Sequence, residues 1–204
     1  MCEENSWKGI IKMKKFKITF NSPVILGFVA ISLLVLLLNF ATGGSSNQEF
    51  FMTYHSSLRS PLTYIRLFTH VFGHAGWQHY IGNMTYMLLL GPLLEEKYGS
   101  KRMIQVILFT ALATGLINYI FFPRVALCGA SGVCFALIIL SSFTRVKEGE
   151  IPLTFILVAV IFIGQQIYEG IAVQDNISNM AHIVGGIVGG IVGFGLNKKA
   201  KYKR

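Results

Sequence analysis

Ser131 and His182 are the side chains of this 204-residue sequence best suited to nucleophilic chemistry, and both lie in otherwise apolar surroundings. Ser131 sits in Gly129-Ala130-Ser131-Gly132, shortly after a break that contains Pro123. A helix opening at the serine would offer it free backbone N–H groups and a positive dipole end, both favourable to an oxyanion. Gly129 and Gly132 would let a substrate backbone come close. Taken alone, the segment reads more simply as a small-residue packing patch of the kind that lines membrane helix interfaces.

His182 lies in Met180-Ala181-His182-Ile183-Val184-Gly185-Gly186. Gly185 and Gly189 follow it at i+3 and i+7, Gly186 and Gly190 at i+4 and i+8, so both pairs flank the helix stripe that the histidine heads. Such a stripe lets two helix axes approach closely. If the helix beginning at Ser131 packs there, the imidazole reaches the serine Oγ, removes its proton and later protonates a leaving amine. The competing reading is a hydrogen-bonded structural histidine.

His79 and Asn83 are spaced i, i+4 and share one helix face. They suit a pair of donors aimed at developing negative charge, or a structural hydrogen-bonding pair. His70, His74 and His79 are close in sequence, but no HExxH motif or downstream carboxylate accompanies them, so neither a metal nor another cofactor is expected.

The elements that must position these residues follow from composition. Charged residues make up 13% of the chain, against roughly 25% in an average soluble domain. The hydrophobic share is 53% and the mean hydropathy +0.57. Uncharged windows cover 18–48, 67–94, 103–123, 125–144, 151–168 and 176–197. A bilayer core needs ~20 apolar residues per helix, which each window supplies or nearly so. A soluble globule, a disordered tail and a DNA-binding domain are excluded.

The net charge of +9 is distributed as membrane anchoring requires, not as nucleic acid would. With six alternating spans, one face holds fifteen Lys and Arg, including Lys8–Lys17, Lys97, Lys101, Arg102, Arg145, Lys147 and the C-terminal cluster. The other face holds Arg59, Arg66 and Arg124. That bias predicts both termini on the cytoplasmic side. The expected architecture is an all-α polytopic membrane protein: a basic arm at 1–21, a six-helix membrane domain at 22–197 and a basic tail at 198–204. Spans are expected near 23–42, 77–95, 103–122, 129–144, 151–169 and 178–196, the first an uncleaved signal anchor. The spans holding His79 and Asn83, Ser131, and His182 then all begin at the outer face, so these residues can share one depth. The aromatic-rich connection up to Gly76 suits the headgroup zone.

Other chemistries lack their residues. The three cysteines (Cys2, Cys128, Cys134) form no CxxC, and Cys134 reads as a small packing residue. The one aspartate, Asp175, lies in a loop, so no carboxylate pair exists for an aspartyl protease. Nor do the spans carry the midplane acids of an ion-coupled transporter.

Taken together, these residues resemble the rhomboid family of intramembrane serine proteases, over about 66–189. The resemblance rests on Arg66-Leu67-Phe68-Thr69-His70 with His74, on His79-x-x-x-Asn83, and on Gly91-x-x-x-Glu95-x-x-x-Gly99. Gly129-x-Ser131-Gly132 and Ala181-His182-x-x-Gly185 complete it. It implies a six-helix rhomboid bundle, Ser131 as nucleophile, His182 as base, and His79, Asn83 and the Ser131 N–H as oxyanion donors. His74 and Glu95 would support the fold by hydrogen bonding. Phe135 stands where many bacterial members carry a tyrosine against the catalytic histidine, so the ring stays and the hydroxyl is lost; Ile65 stands where a tryptophan is frequent. The implied activity is cleavage of single-span membrane proteins near the outer membrane boundary, in the plasma membrane if the source is bacterial. The alternative is a catalytically silent relative that binds transmembrane segments.

Overall fold

A buried carboxylate on one helix sets where the first helix begins. The computed structural model of the chain describes residues 19–142, 153–172 and 176–201. Helix α1 (Pro23–Ala41) opens with proline at its first position, where the missing N–H costs nothing. Its next two amides, Val24 N and Ile25 N, donate to the two oxygens of Glu95 at 3.1 Å each. Glu95 belongs to α3 (Trp77–Tyr98) and is itself buried. It also accepts a 2.6 Å bond from Ser100 Oγ at the start of α4 (Ser100–Phe121). One anion thus satisfies orphan donors at the positive end of α1 and ties three helices together. Gly99 makes the reversal between α3 and α4 at φ +83°, a conformation that side chains disfavour. Gly91 lets α1 cross close by, since a Cβ there would stand 2.7 Å from Ile25.

Between α1 and α3 the chain folds into a π-helical turn (Asn47–Phe51), a short helix α2 (Pro61–Thr69) and a 3-10 turn (His70–Phe72). This connection is held by side chain to backbone bonds. Arg66 Nε donates to Glu49 O at 2.6 Å and its guanidinium lies 4.5 Å over the Tyr54 ring. Thr53 and Leu127 exchange a pair of 2.9 Å backbone bonds, fastening the connection to the segment before Ser131. Helix α2 rests on α4 at Gly115, where a Cβ would come 2.8 Å from Leu67 O.

The remaining helices are α5 (Ser131–Ser142), α6 (Leu153–Ala172) and α7 (Asn176–Lys201). Helices α1 and α3–α7 each overlap one of the six apolar windows, and the described residues contain no strand. Among the described residues, α1 and α4 are long and apolar enough by themselves to cross a bilayer. The described part of α5 covers 12 residues, and α3 carries His79, Asn83, Glu95, Glu96 and Lys97. Residues 1–18 of the expected arm at 1–21, the connections at 143–152 and 173–175, and residues 202–204 of the expected tail lie outside the described residues.

The distribution of polarity is that of a membrane protein. Leu34, Leu89, Leu93, Ile120 and Ile191 are 61–69% exposed, while Arg66, His70, His74, Glu95, Thr110 and Asn118 are buried. In water that arrangement would leave large apolar patches uncovered.

Two of the buried groups make a pH prediction. Burial pushes His70, on the connection preceding α3, down from 6.5 to about 4. Burial, with His79 beside it, does the same to His74, to about 4. The fold therefore holds both rings neutral, and the stability tied to that state is complete above pH 6.5, where the unfolded chain is also neutral. It is lost as pH falls from 6.5 through 4, because only the unfolded chain takes up protons freely there. The melting temperature in detergent is expected to drop across that interval, more gently for His70→Gln. A flat profile would contradict the buried neutral state.

Candidate active site

Helix α5 begins at the serine. Its first intrahelical bond runs from Cys134 N to Ala130 O at 2.9 Å, so the N–H groups of residues 131–133 have no partner within the helix. The chain reaches Ser131 through Gly129, at φ +126°. A Cβ on Gly129 would also stand 2.6 Å from His79 Nε2 and 2.7 Å from its Cε1. Glycine is required there twice, by the backbone and by the ring against it. Gly129 N donates to His70 O at 2.9 Å, which fixes this segment to the buried connection.

His79 and Asn83 approach Gly129 from α3. Ala75 N–H donates to His79 Nδ1 at 3.5 Å, so Nδ1 is the unprotonated nitrogen and the Nε2–H faces Gly129. Asn83 is buried, and its Nδ2 has no hydrogen-bond partner. That amide nitrogen is 3.6 Å from the space a side chain on Gly129 would fill. Two donors therefore face the segment directly before Ser131. A buried donor left unpaired is costly, and such groups gain most from a ligand oxygen. His74 lies behind them, its Nδ1–H on Phe72 O at 3.0 Å and its ring edge-on to His79 at 5.0 Å.

Helix α7 meets α5 at backbone distance. A Cβ on Gly185 would overlap the Gly132 carbonyl oxygen and stand 2.7 Å from its carbon. A Cβ on Gly189 would likewise overlap the Ala136 carbonyl oxygen and stand 2.7 Å from the Ala136 Cα. From the other side, a Cβ on Gly132 would stand 3.2 Å from Ala181 O and 3.0 Å from Thr114 Cγ2. Of the two glycine pairs in α7, Gly185 and Gly189 form the seam; Gly190 is at ordinary distance, 3.8 Å from Ile139. This contact brings the ring of His182 to 4.3 Å from that of Phe135, at 44°. Phe135 is one helical turn beyond Ser131 and on the same face, so His182 lies on the face of α5 that Ser131 heads. Both Ser131 and His182 are half-buried.

A shallow cleft with no enclosed room for a water molecule adjoins the seam, lined among others by Thr114, Asn118, Met180 and Ala181. The described residues contain no group of three His, Cys, Asp or Glu able to hold a metal ion. His70 places Nδ1–H on Arg66 O at 3.1 Å and Nε2 against Thr114 Oγ1 at 3.2 Å.

The structure thus gathers His79 and Asn83 against Gly129, and His182 against the face of α5 that Ser131 opens. It also gives a polar contact to Cys134, which the sequence offers only as a small packing residue. Cys134 Sγ is 3.3 Å from Asn83 O and 4.0 Å from Asn83 Oδ1, a bonding contact and not merely a filled space. Its position three residues after Ser131 was the available signal.

A family model of the Rhomboid domain matches residues 61–199. The chain is 33% identical over 158 residues to "Rhomboid-related protein 2" of Mus musculus, covering 67% of this chain and 52% of that one. It is 29% identical over 145 residues to "Rhomboid-like protein 11, chloroplastic" of Arabidopsis thaliana, covering 64% and 51%. It is 29% identical over 171 residues to "Rhomboid protease GluP" of Bacillus subtilis (strain 168), covering 80% and 32%. The chain spans about half, or less, of the length of these relatives.

Proposed function

Because the chain belongs to the rhomboid family, we propose that it is an intramembrane serine endopeptidase, working through Ser131 and His182 on single-span membrane proteins. The observation that carries this reading is the backbone contact of Gly132 with Gly185, which sets the His182 ring on the Ser131 face of α5. His182 takes the proton from Ser131 Oγ as the oxygen attacks the scissile carbonyl, then returns it to the leaving amine. The oxyanion is received by the Ser131 N–H, His79 Nε2–H and Asn83 Nδ2–H. Phe135 meets the imidazole with its ring and has no tyrosine hydroxyl to add.

A serine-directed covalent probe tests this directly. Labelling at Ser131 that disappears in His182→Ala is expected. Failure across several probe classes would favour the silent relative that only binds transmembrane helices.

The same proposal gives the chain six spans, in the plasma membrane if the source is bacterial, with both termini inside and the site opening near the outer boundary. The fifteen-to-three charge split supports that orientation. A cysteine introduced at Gly44 should react with an impermeant thiol reagent, and a C-terminal tag should stay shielded. A tag accessible from outside would reverse the topology.

A further inference from the structure

We propose that Asn118 is a positioning residue for the nucleophile, fixing the segment that delivers Ser131 to the start of α5; the inference rests on the serine-protease reading above. Helix α4 ends at Phe121 and α5 begins at Ser131, so residues 122–130 decide where the serine stands. The backbone groups of such a connection need partners, and those partners fix its course.

Asn118, in the last turn of α4, supplies one of them. Its Nδ2 donates to Val125 O and to Thr53 O, at 3.1 Å each. Thr53 in turn exchanges two 2.9 Å backbone bonds with Leu127. One carboxamide therefore holds the Ser131 segment directly at Val125, and through Thr53 at Leu127. The orientation of this amide is chemically determined. Both neighbours are carbonyl oxygens and only accept, Nδ2 carries one hydrogen for each, and turning the amide over would set Oδ1 against both. Asn118 is buried, and its Oδ1 has no hydrogen-bond partner among the described residues. The two donated bonds are its polar hold on the structure, and the low dielectric around them strengthens both. A separate bond, from Gly129 N to His70 O, also restrains the segment. Losing the carboxamide should therefore misplace Ser131 rather than release it. Asn118 touches neither substrate nor reacting atoms; it acts through the backbone that carries the serine.

The adjacent residue provides the control. Tyr119 OH donates to Ser56 O at 2.5 Å, fastening the outer connection to the same turn of α4 by a bond that does not involve residues 122–130. The test compares Asn118→Leu with Tyr119→Phe in full-length protein in lipid vesicles, with a single-span reporter substrate, well below both melting midpoints. Leucine keeps the branched shape of asparagine without its donors; phenylalanine removes only the hydroxyl. A purely structural hold predicts lower melting temperatures for both variants and unchanged turnover of the folded protein. The positioning role predicts that Asn118→Leu lowers kcat by about tenfold or more with KM unchanged, within the ~10² that a misplacement of about 1 Å can cost. Tyr119→Phe should keep the parental kcat. Labelling of Ser131 by a small serine-directed probe should slow together with kcat, since no transmembrane substrate has to dock for that reaction. Parental kcat in Asn118→Leu, an equal loss in Tyr119→Phe, or a loss confined to KM would overturn the proposal. Should Asn118→Leu fail to accumulate, Asn118→Ser carries the same expectation, because a single hydroxyl hydrogen serves only one of the two carbonyls. A Ser131→Ala control separates the two levels: if it still cuts, the protease reading falls and this inference with it. If it is dead while Asn118→Leu is normal, only the positioning role fails.

Discussion

Replacing Ser131 or His182 by alanine is expected to remove nearly all cleavage of a membrane-embedded reporter while the protein still inserts and melts cooperatively. The double variant should be little worse than either single one, because a nucleophile and its base act as a unit and their losses do not add. His79→Ala and Asn83→Ala should behave differently. Each removes one of several donors facing the Gly129 segment, so each should leave residual turnover, reduced by about 10²–10³ in kcat. Melting curves must accompany these two, because His79 also packs edge-on against His74. A Ser131→Ala protein cutting at the parent rate would remove the serine mechanism entirely.

The second large effect is expected at the α5–α7 seam. Gly185→Val places a branched side chain where the first carbon alone would stand 2.7 Å from Gly132 C and 2.9 Å from Gly132 Cα. The obstacle is backbone, so no rotamer relieves it and the helices must separate. Overpacking of this kind typically costs about 1–3 kcal/mol. The geometric consequence is larger, because Gly132 adjoins Ser131 while Gly185 is one turn from His182. Cleavage should therefore fall much further than expression. Gly195→Val is the control on the same helix, since a Cβ there meets nothing within 4 Å. Equal activities in the two variants would end the close-packing explanation.

Much of this site was legible in the sequence because lipid makes polar residues expensive. His79, Asn83, Ser131 and His182 interrupt apolar windows, and their spacing relative to the window starts put them at one end of three helices. The glycines of the α7 stripe were legible for the same kind of reason: a helix repeats every 3.6 residues, so positions three and four apart declare a face. Glu95 was recognisable as a supporting residue. That it caps α1 was not, since its partners Val24 N and Ile25 N are about seventy residues away and are backbone groups that any sequence would offer.

By itself, then, the sequence determined the helical windows, the membrane setting and the short set of side chains able to do chemistry, because hydrophobic period and composition are local properties. Only the tertiary structure decided which glycines of α7 form the seam, where the histidine ring lies on α5, and which end of Asn83 faces Gly129. Gly189 and Gly190 are adjacent and chemically identical; the crossing of two helices separates them. Cys134 reads as a small apolar residue until the neighbouring helix brings the main-chain carbonyl of Asn83 within reach of its thiol. Those distinctions depend on the relative rotation of packed helices, to which every residue of the bundle contributes and which no single segment encodes.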